Sequence, residues 1–127
     1  AGGVGFAALA LLGARVEPGI GYLLDLLGFA DRAKGARLVI TGEGSLDAQS
    51  LRGKAPIGVA RAAARAGIPV VAVAGQRSLT GEQLRRARIQ AAYALTDIEP
   101  DVDRCLRQAG ELLEQLTVTI ADEWLTP

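Results

Sequence analysis

Two short, wholly apolar runs, each closed by glycine and followed by a helical pattern, decide most of what this 127-residue chain can become. Leu38-Val39-Ile40 ends at Thr41-Gly42-Glu43-Gly44, and Val70-Val71-Ala72-Val73 ends before Gly75. Runs apolar on both faces predict strands buried on both sides, the signature of a parallel sheet. Between them Pro56 opens a helix that extends to Ala66, with Gly67 as its stop. Thr80 and Gln83 have capping-box spacing for a helix over 81–88, and Ala91–Leu95 forms a weaker third strand. Alternating strands and helices imply βαβ units. The expected fold is an α/β, Rossmann-like three-layer domain with a parallel sheet.

The flanks add helices. The apolar stretch Phe6–Leu12 predicts a helix ended by Gly13, and Pro18 starts a second one that stops at Gly28. Residues 1–35 therefore read as a helical segment leading into an α/β region over 36–127. At the other end Pro100 predicts one long helix with Val102, Cys105, Ala109, Leu112, Leu113, Leu116, Ile120 and Trp124 on a single stripe. The chain starts on Ala1-Gly2-Gly3-Val4-Gly5 without a methionine, as if from inside a longer polypeptide. No apolar run reaches the roughly 18 residues of a membrane span, and nothing resembles a signal peptide. Cytoplasmic residence is the expectation, and no membrane partner is expected.

Chemistry is limited by what is missing. There is no histidine, which excludes a Ser-His-Asp triad within the chain and removes the commonest general base. Cys105 is alone, so there is neither a disulfide framework nor a cysteine metal cluster. From Arg52 to Arg88 there are eight cations against one acid, Glu82. That stretch contains no aromatic residue for base stacking, so no nucleic-acid partner is expected and a solvated helix face is the simpler reading.

In parallel sheets ligands bind beyond the carboxyl ends of the strands. Thr41–Lys54, Gly75–Thr80 and Thr96–Asp97 fall there, and the first, read as a loop, is richest in usable groups. Glu43 and Asp47 offer hard oxygen ligands suited to Mg²⁺. Lys54, after Gly53, brings a positive charge for a phosphoryl group. Gly42 and Gly44 on either side of Glu43 permit close backbone approach to an anion, while Thr41, Ser45 and Gln49 can hydrogen-bond hydroxyls. Positioning, a cation and charge neutralisation are what phosphoryl transfer asks of a protein. The segment is not a Walker A loop, because Gly53-Lys54 is followed by Ala55. An ordinary solvated loop remains the alternative. Elsewhere, Gly2-Gly3-x-Gly5 reads as close helix packing before an anion cradle, Arg77 as a surface residue, and Tyr22 and Trp124 as core or interface residues.

The run from Leu38 through Lys54-Ala55-Pro56-Ile57-Gly58-Val59-Ala60 resembles the signature stretch of the bacterial glycerate kinase family, and so do Ala1–Phe6, Pro18-Gly19-Ile20, Leu24–Phe29 and Val70–Gly75. The resemblance implies the C-terminal part of a two-domain kinase that transfers the ATP γ-phosphate to D-glycerate with Mg²⁺, usually giving 2-phosphoglycerate. It implies Glu43, Asp47 and Lys54 as catalytic candidates, with Glu43 and Asp47 as metal ligands. Thr41, Gly42, Gly44, Ser45, Gln49 and Gly53 become substrate or phosphate contacts. Ser45 departs from the family, which often carries Arg there. The remaining regions of the kinase would be this chain's partner, and without them the fragment is expected to be inactive. Helices before Asp31 that lack their natural partners leave homo-oligomer formation open. A noncatalytic Rossmann-like anion- or nucleotide-binding module is the competing reading, and a purely structural domain a third.

Overall fold

The structure, a computed structural model, describes residues 3–126. Three strands, β1 (Val39–Leu46), β2 (Val70–Arg77) and β3 (Ala91–Ala94), form one sheet in the order β1-β2-β3. Both pairings are parallel, with Val39 opposite Val70 and Val73 opposite Tyr93. Helix α4 (Ala55–Arg65) connects β1 to β2 and α5 (Gly81–Arg86) connects β2 to β3. Right-handed crossovers between successive neighbouring strands put both connecting helices on the same sheet face. The core agrees: Ile57, Ala60 and Ala63 of α4 and Leu84 of α5 pack in one cluster with Val70, Ala72 and Ala74. Helix α7 (Ala109–Trp124) covers the opposite face, where Leu112 and Leu116 pack with Val73 and Tyr93. The result is the three-layer α/β arrangement with a parallel sheet.

Helices α1 (Val4–Leu12), α2 (Gly19–Leu26) and α3 (Phe29–Arg32) precede the sheet. Gly13 and Gly28 both sit at positive φ at the helix boundaries where the sequence places stops. Ile20 of α2 rests on Gly58 of α4, and Phe29 and Ala33 reach the α4-side core. In contrast, Val4, Phe6, Leu11 and Leu12 are exposed, so α1 buries none of its own residues. Gly2 lies outside the described residues. A side chain on Gly5 would meet nothing within 4 Å, so the expected close helix packing is absent there.

Three expectations are corrected. Thr41-Gly42-Glu43-Gly44-Ser45 is not a loop: β1 runs through it to Leu46, hydrogen-bonded to an equally extended β2 that passes Gly75 and ends at Arg77. A Cβ on Gly42 would stand 2.5 Å from the Val73 carbonyl oxygen, and one on Gly75 would stand 2.7 Å from that of Gly44. These glycines let the two strands stay paired where a local reading sees only breakers. The last helix is two: α6 (Val102–Arg107) and α7, separated at Gln108, whose φ of −116° leaves the helical range. Asp101 rather than Pro100 starts α6, its carboxylate accepting the amides of Asp103 and Arg104. Finally, Val102 and Leu113 of the expected stripe are exposed, and Tyr22, expected in a core or an interface, is exposed and so is not core.

Candidate active site

The carboxyl end of β1 and the turn that follows it hold the candidate groups. Register settles which face each residue serves. Thr41 and Glu43 stand opposite Ala72 and Ala74, on the face that carries α4. Gly42 stands opposite Val73, on the face that carries α7. Glu43 therefore points toward the start of α4, where Lys54 is the N-cap residue.

Those two side chains meet. Lys54 Nζ is 3.8 Å from Glu43 Oε2, with the lysine side chain 46% exposed and the glutamate 16%. Glu43 Oε1 is fully buried and has no hydrogen-bond partner in the protein. A buried carboxylate oxygen left unpaired costs about 1–3 kcal/mol or more. A metal ion, a ligand hydroxyl or a water is what such an oxygen calls for. Gly53, immediately before Lys54, has φ +96°, which allows the chain to turn from the 3₁₀ segment Ser50–Arg52 into α4.

A second group forms around Asp47. The Gln49 amide donates to Asp47 Oδ1 at 2.7 Å, and the Ser45 hydroxyl donates to Oδ2 at 3.3 Å. Ser50 accepts the Asp47 amide at 3.1 Å. The Gln49 amide is the main cause holding the Asp47 carboxyl below its ordinary value of 3.8, with Ser50, Lys54 and Ser45 adding to it against the opposing effect of burial. Asp47 is thus a fixed anion at the mouth of the sheet.

The expected residues divide clearly. Glu43 pairs with Lys54, and Ser45, Asp47 and Gln49 pair with one another through the turn. Gln49 contributes its backbone, and its side chain is exposed. Gly42 serves the sheet, whereas a side chain on Gly44 would meet nothing within 4 Å, leaving that backbone open to a ligand. Among the described residues no three His, Cys, Asp or Glu side chains gather as a metal site. Mg²⁺ does not require such a cage: it commonly takes one or two carboxylates and completes its shell with phosphates and water. The unpaired oxygen of Glu43 fits that pattern.

Two features escaped the sequence reading. Arg77, at the end of β2, donates through Nε to Asp97 Oδ2 at 3.0 Å, and the same oxygen accepts the Ala94 amide at 2.8 Å, tying the ends of β2 and β3 together. Ser50 is fully buried under the Asp47 turn. The spacing Asp47-x-x-Ser50, a familiar turn pattern, was the available signal.

The sequence profile of the Glycerate kinase family matches residues 1–125. A glycerate kinase of Halalkalibacterium halodurans is 40% identical over 121 residues, covering 95% of this chain and 32% of that protein. The glycerate 2-kinase of Escherichia coli is 36% identical over 121 residues, with the same 95% and 32% coverage. A crystal structure from Salmonella typhimurium LT2 described as glycerate kinase 2 superposes with a TM-score of 0.53 at 38% identity, covering 73% of this chain and 22% of that one. The chain thus spans about 32% of the length of the curated relatives it matches.

Proposed function

The chain belongs to the glycerate kinase family, and from that membership we propose that it forms the C-terminal part of an enzyme that transfers the ATP γ-phosphate to D-glycerate, giving 2-phosphoglycerate. The observation that carries the site assignment is the buried, unpaired Oε1 of Glu43 beside Lys54 at the carboxyl end of a parallel sheet. That is where ligands enter such folds.

In this reading Lys54 sets its ammonium against the phosphoryl group in transit and lowers the cost of gathering negative charge. Glu43 and Asp47 would hold Mg²⁺, which would supply charge neutralisation at the nucleotide phosphates. Asp47 suits the task because its turn keeps it ionised and stationary. The exposed backbone at Gly44 and the hydroxyls of Ser45 and Thr41 face the small hydroxy acid or a phosphate oxygen. Gln49 and Gly53 shape the segment that presents these groups. The opposite wall of the cleft, with the rest of the nucleotide contacts, comes from the remaining two-thirds of the parent protein. ATP and D-glycerate meet between the two parts, in the cytoplasm, and the 127 residues alone are inactive.

The test is ATP-dependent phosphorylation of D-glycerate by the full-length parent protein and by its Glu43→Ala, Asp47→Ala and Lys54→Ala variants. Turnover is expected in the parent and a loss of about a hundredfold or more in each variant. Near-parental turnover in all three removes the site. No glycerate-dependent consumption of ATP by the parent removes the function.

A further inference from the structure

Ser50 is the only buried polar or charged residue among the described residues, with no exposed surface at all. Its hydroxyl is also the centre of the Asp47 turn. It accepts the Asp47 amide at 3.1 Å and donates to the Ser45 carbonyl at 3.3 Å. One side chain therefore grips the backbone on both sides of Leu46, at the point where β1 ends. The backbone closes the same turn, the Ser50 amide donating to the Asp47 carbonyl at 3.0 Å. A serine hydroxyl has one proton to give, and here it is committed inward. With no exposed surface as well, unlike Ser45, it cannot serve as a ligand-facing group.

We propose that Ser50 is a positioning residue of the phosphoryl-transfer site: it fixes the turn that aims the Asp47 carboxylate and the Ser45 hydroxyl out of the carboxyl end of the sheet. The inference rests on the kinase reading of this segment. Its physical basis is separate. Asp47 Oδ2 is held by Ser45, whose carbonyl the Ser50 hydroxyl binds, and the Asp47 backbone itself is bound through its amide to the same hydroxyl, while the Gln49 amide holds Oδ1. Without the hydroxyl the Ser45 carbonyl and Asp47 amide lose a shared partner at a part-buried position, and the turn relaxes. Groups that orient a ligating carboxylate commonly matter by about 10- to 100-fold in metal affinity or activity.

The experiment is a double-mutant cycle in the full-length parent protein, reading kcat at saturating ATP and D-glycerate, the Mg²⁺ concentration giving half-maximal rate, and thermal melting. Ser50→Ala should lower kcat about 10- to 100-fold and raise the Mg²⁺ requirement, and Ser50→Thr, which keeps the hydroxyl, should recover most of the loss. Asp47→Asn should be slower still, and adding Ser50→Ala to it should change the rate by less than about twofold, because the two residues act as one unit. Should Ser50→Ala fail to fold, Ser50→Cys, which keeps the volume and weakens both hydrogen bonds, is read in the same way. Full additivity of the two losses, or parental kcat and Mg²⁺ dependence in Ser50→Ala or Ser50→Cys with a slow Asp47→Asn, overturns the positioning role alone. Parental rates in Asp47→Asn overturn the site reading with it.

Discussion

The Lys54 ammonium lies 3.8 Å from Oε2 of Glu43, while Oε1 of the same carboxylate is buried without a partner. The pair is therefore only half a salt bridge. A long contact to a half-exposed lysine contributes little to stability, about 1 kcal/mol at most. If Lys54 exists for the ligand and not for the fold, the two readouts must separate. Lys54→Ala in the parent protein should melt within a few degrees of wild type while kcat/KM for ATP drops about a hundredfold. Differential scanning fluorimetry beside steady-state kinetics checks this, and a large melting loss with intact kinetics would reverse the assignment.

Gly42 and Gly44 look alike in sequence and behave differently in the sheet. A methyl on Gly42 meets the Val73 carbonyl oxygen at 2.5 Å, a backbone atom that cannot step aside without breaking the β1–β2 ladder. One on Gly44 meets open space. Gly42→Ala should therefore destabilise by about 1–3 kcal/mol, the ordinary cost of overpacking. Gly44→Ala should leave unfolding nearly unchanged and raise KM for a substrate. Denaturant unfolding of both variants, with kinetics on Gly44→Ala, decides it. Equal destabilisation by the two substitutions would contradict the distinction.

Helix α2 is held to α4 through a contact that a single methyl can oppose. A Cβ on Gly58 would lie 2.4 Å from Ile20 Cγ2 and 2.5 Å from Ile20 Cγ1. Gly58→Ala gains about 1 kcal/mol in helix propensity but must displace Ile20, so a net loss of about 1–2 kcal/mol is expected. Ile20→Ala removes the obstacle, and on that background Gly58→Ala should turn neutral or stabilising. A coupling energy near zero in this cycle would show that α2 does not dock as described.

How much could be read in advance depended on whether the cause was local. The helix stops at Gly13 and Gly28 and the Thr80–Gln83 capping box are set by residues within a turn of one another, and all appear where the sequence places them. The strand at Thr41–Leu46 was hidden because Gly42 serves a neighbouring strand some thirty residues away in the chain. A local reading sees only flexibility there. The same non-locality concealed the Arg77–Asp97 tie. Glu43, Asp47 and Lys54 stood out chemically, but that Glu43 pairs with Lys54 while Asp47 turns back on Ser45 and Gln49 depends on which way β1 alternates. One added strand residue would have exchanged the faces.

Tyr93 provides a pH test of how α7 is fastened to the sheet. Its hydroxyl donates to Glu123 Oε2 and accepts the Trp124 indole N–H at 2.8 Å. Burial pushes its pKa above the ordinary 10.0, the hydrogen bond to the Glu123 carboxylate pushes the same way, and Trp124 opposes them. A raised folded-state value means that the native state holds this proton longer than the unfolded chain does. The stability linked to it is therefore fully present below pH 10.0 and is lost as pH rises through the higher folded value. Denaturant unfolding of wild type and Tyr93→Phe from about pH 8 to about pH 11 isolates this contribution as the difference between the two curves. That difference should be constant at the lower end and shrink above pH 10.0. In Trp124→Phe, which lacks the indole donor that favours the phenolate, the decline should move to higher pH. A difference that grows with pH would mean that Tyr93 is held as the phenolate, and the fastening of α7 through Glu123 would have to be abandoned.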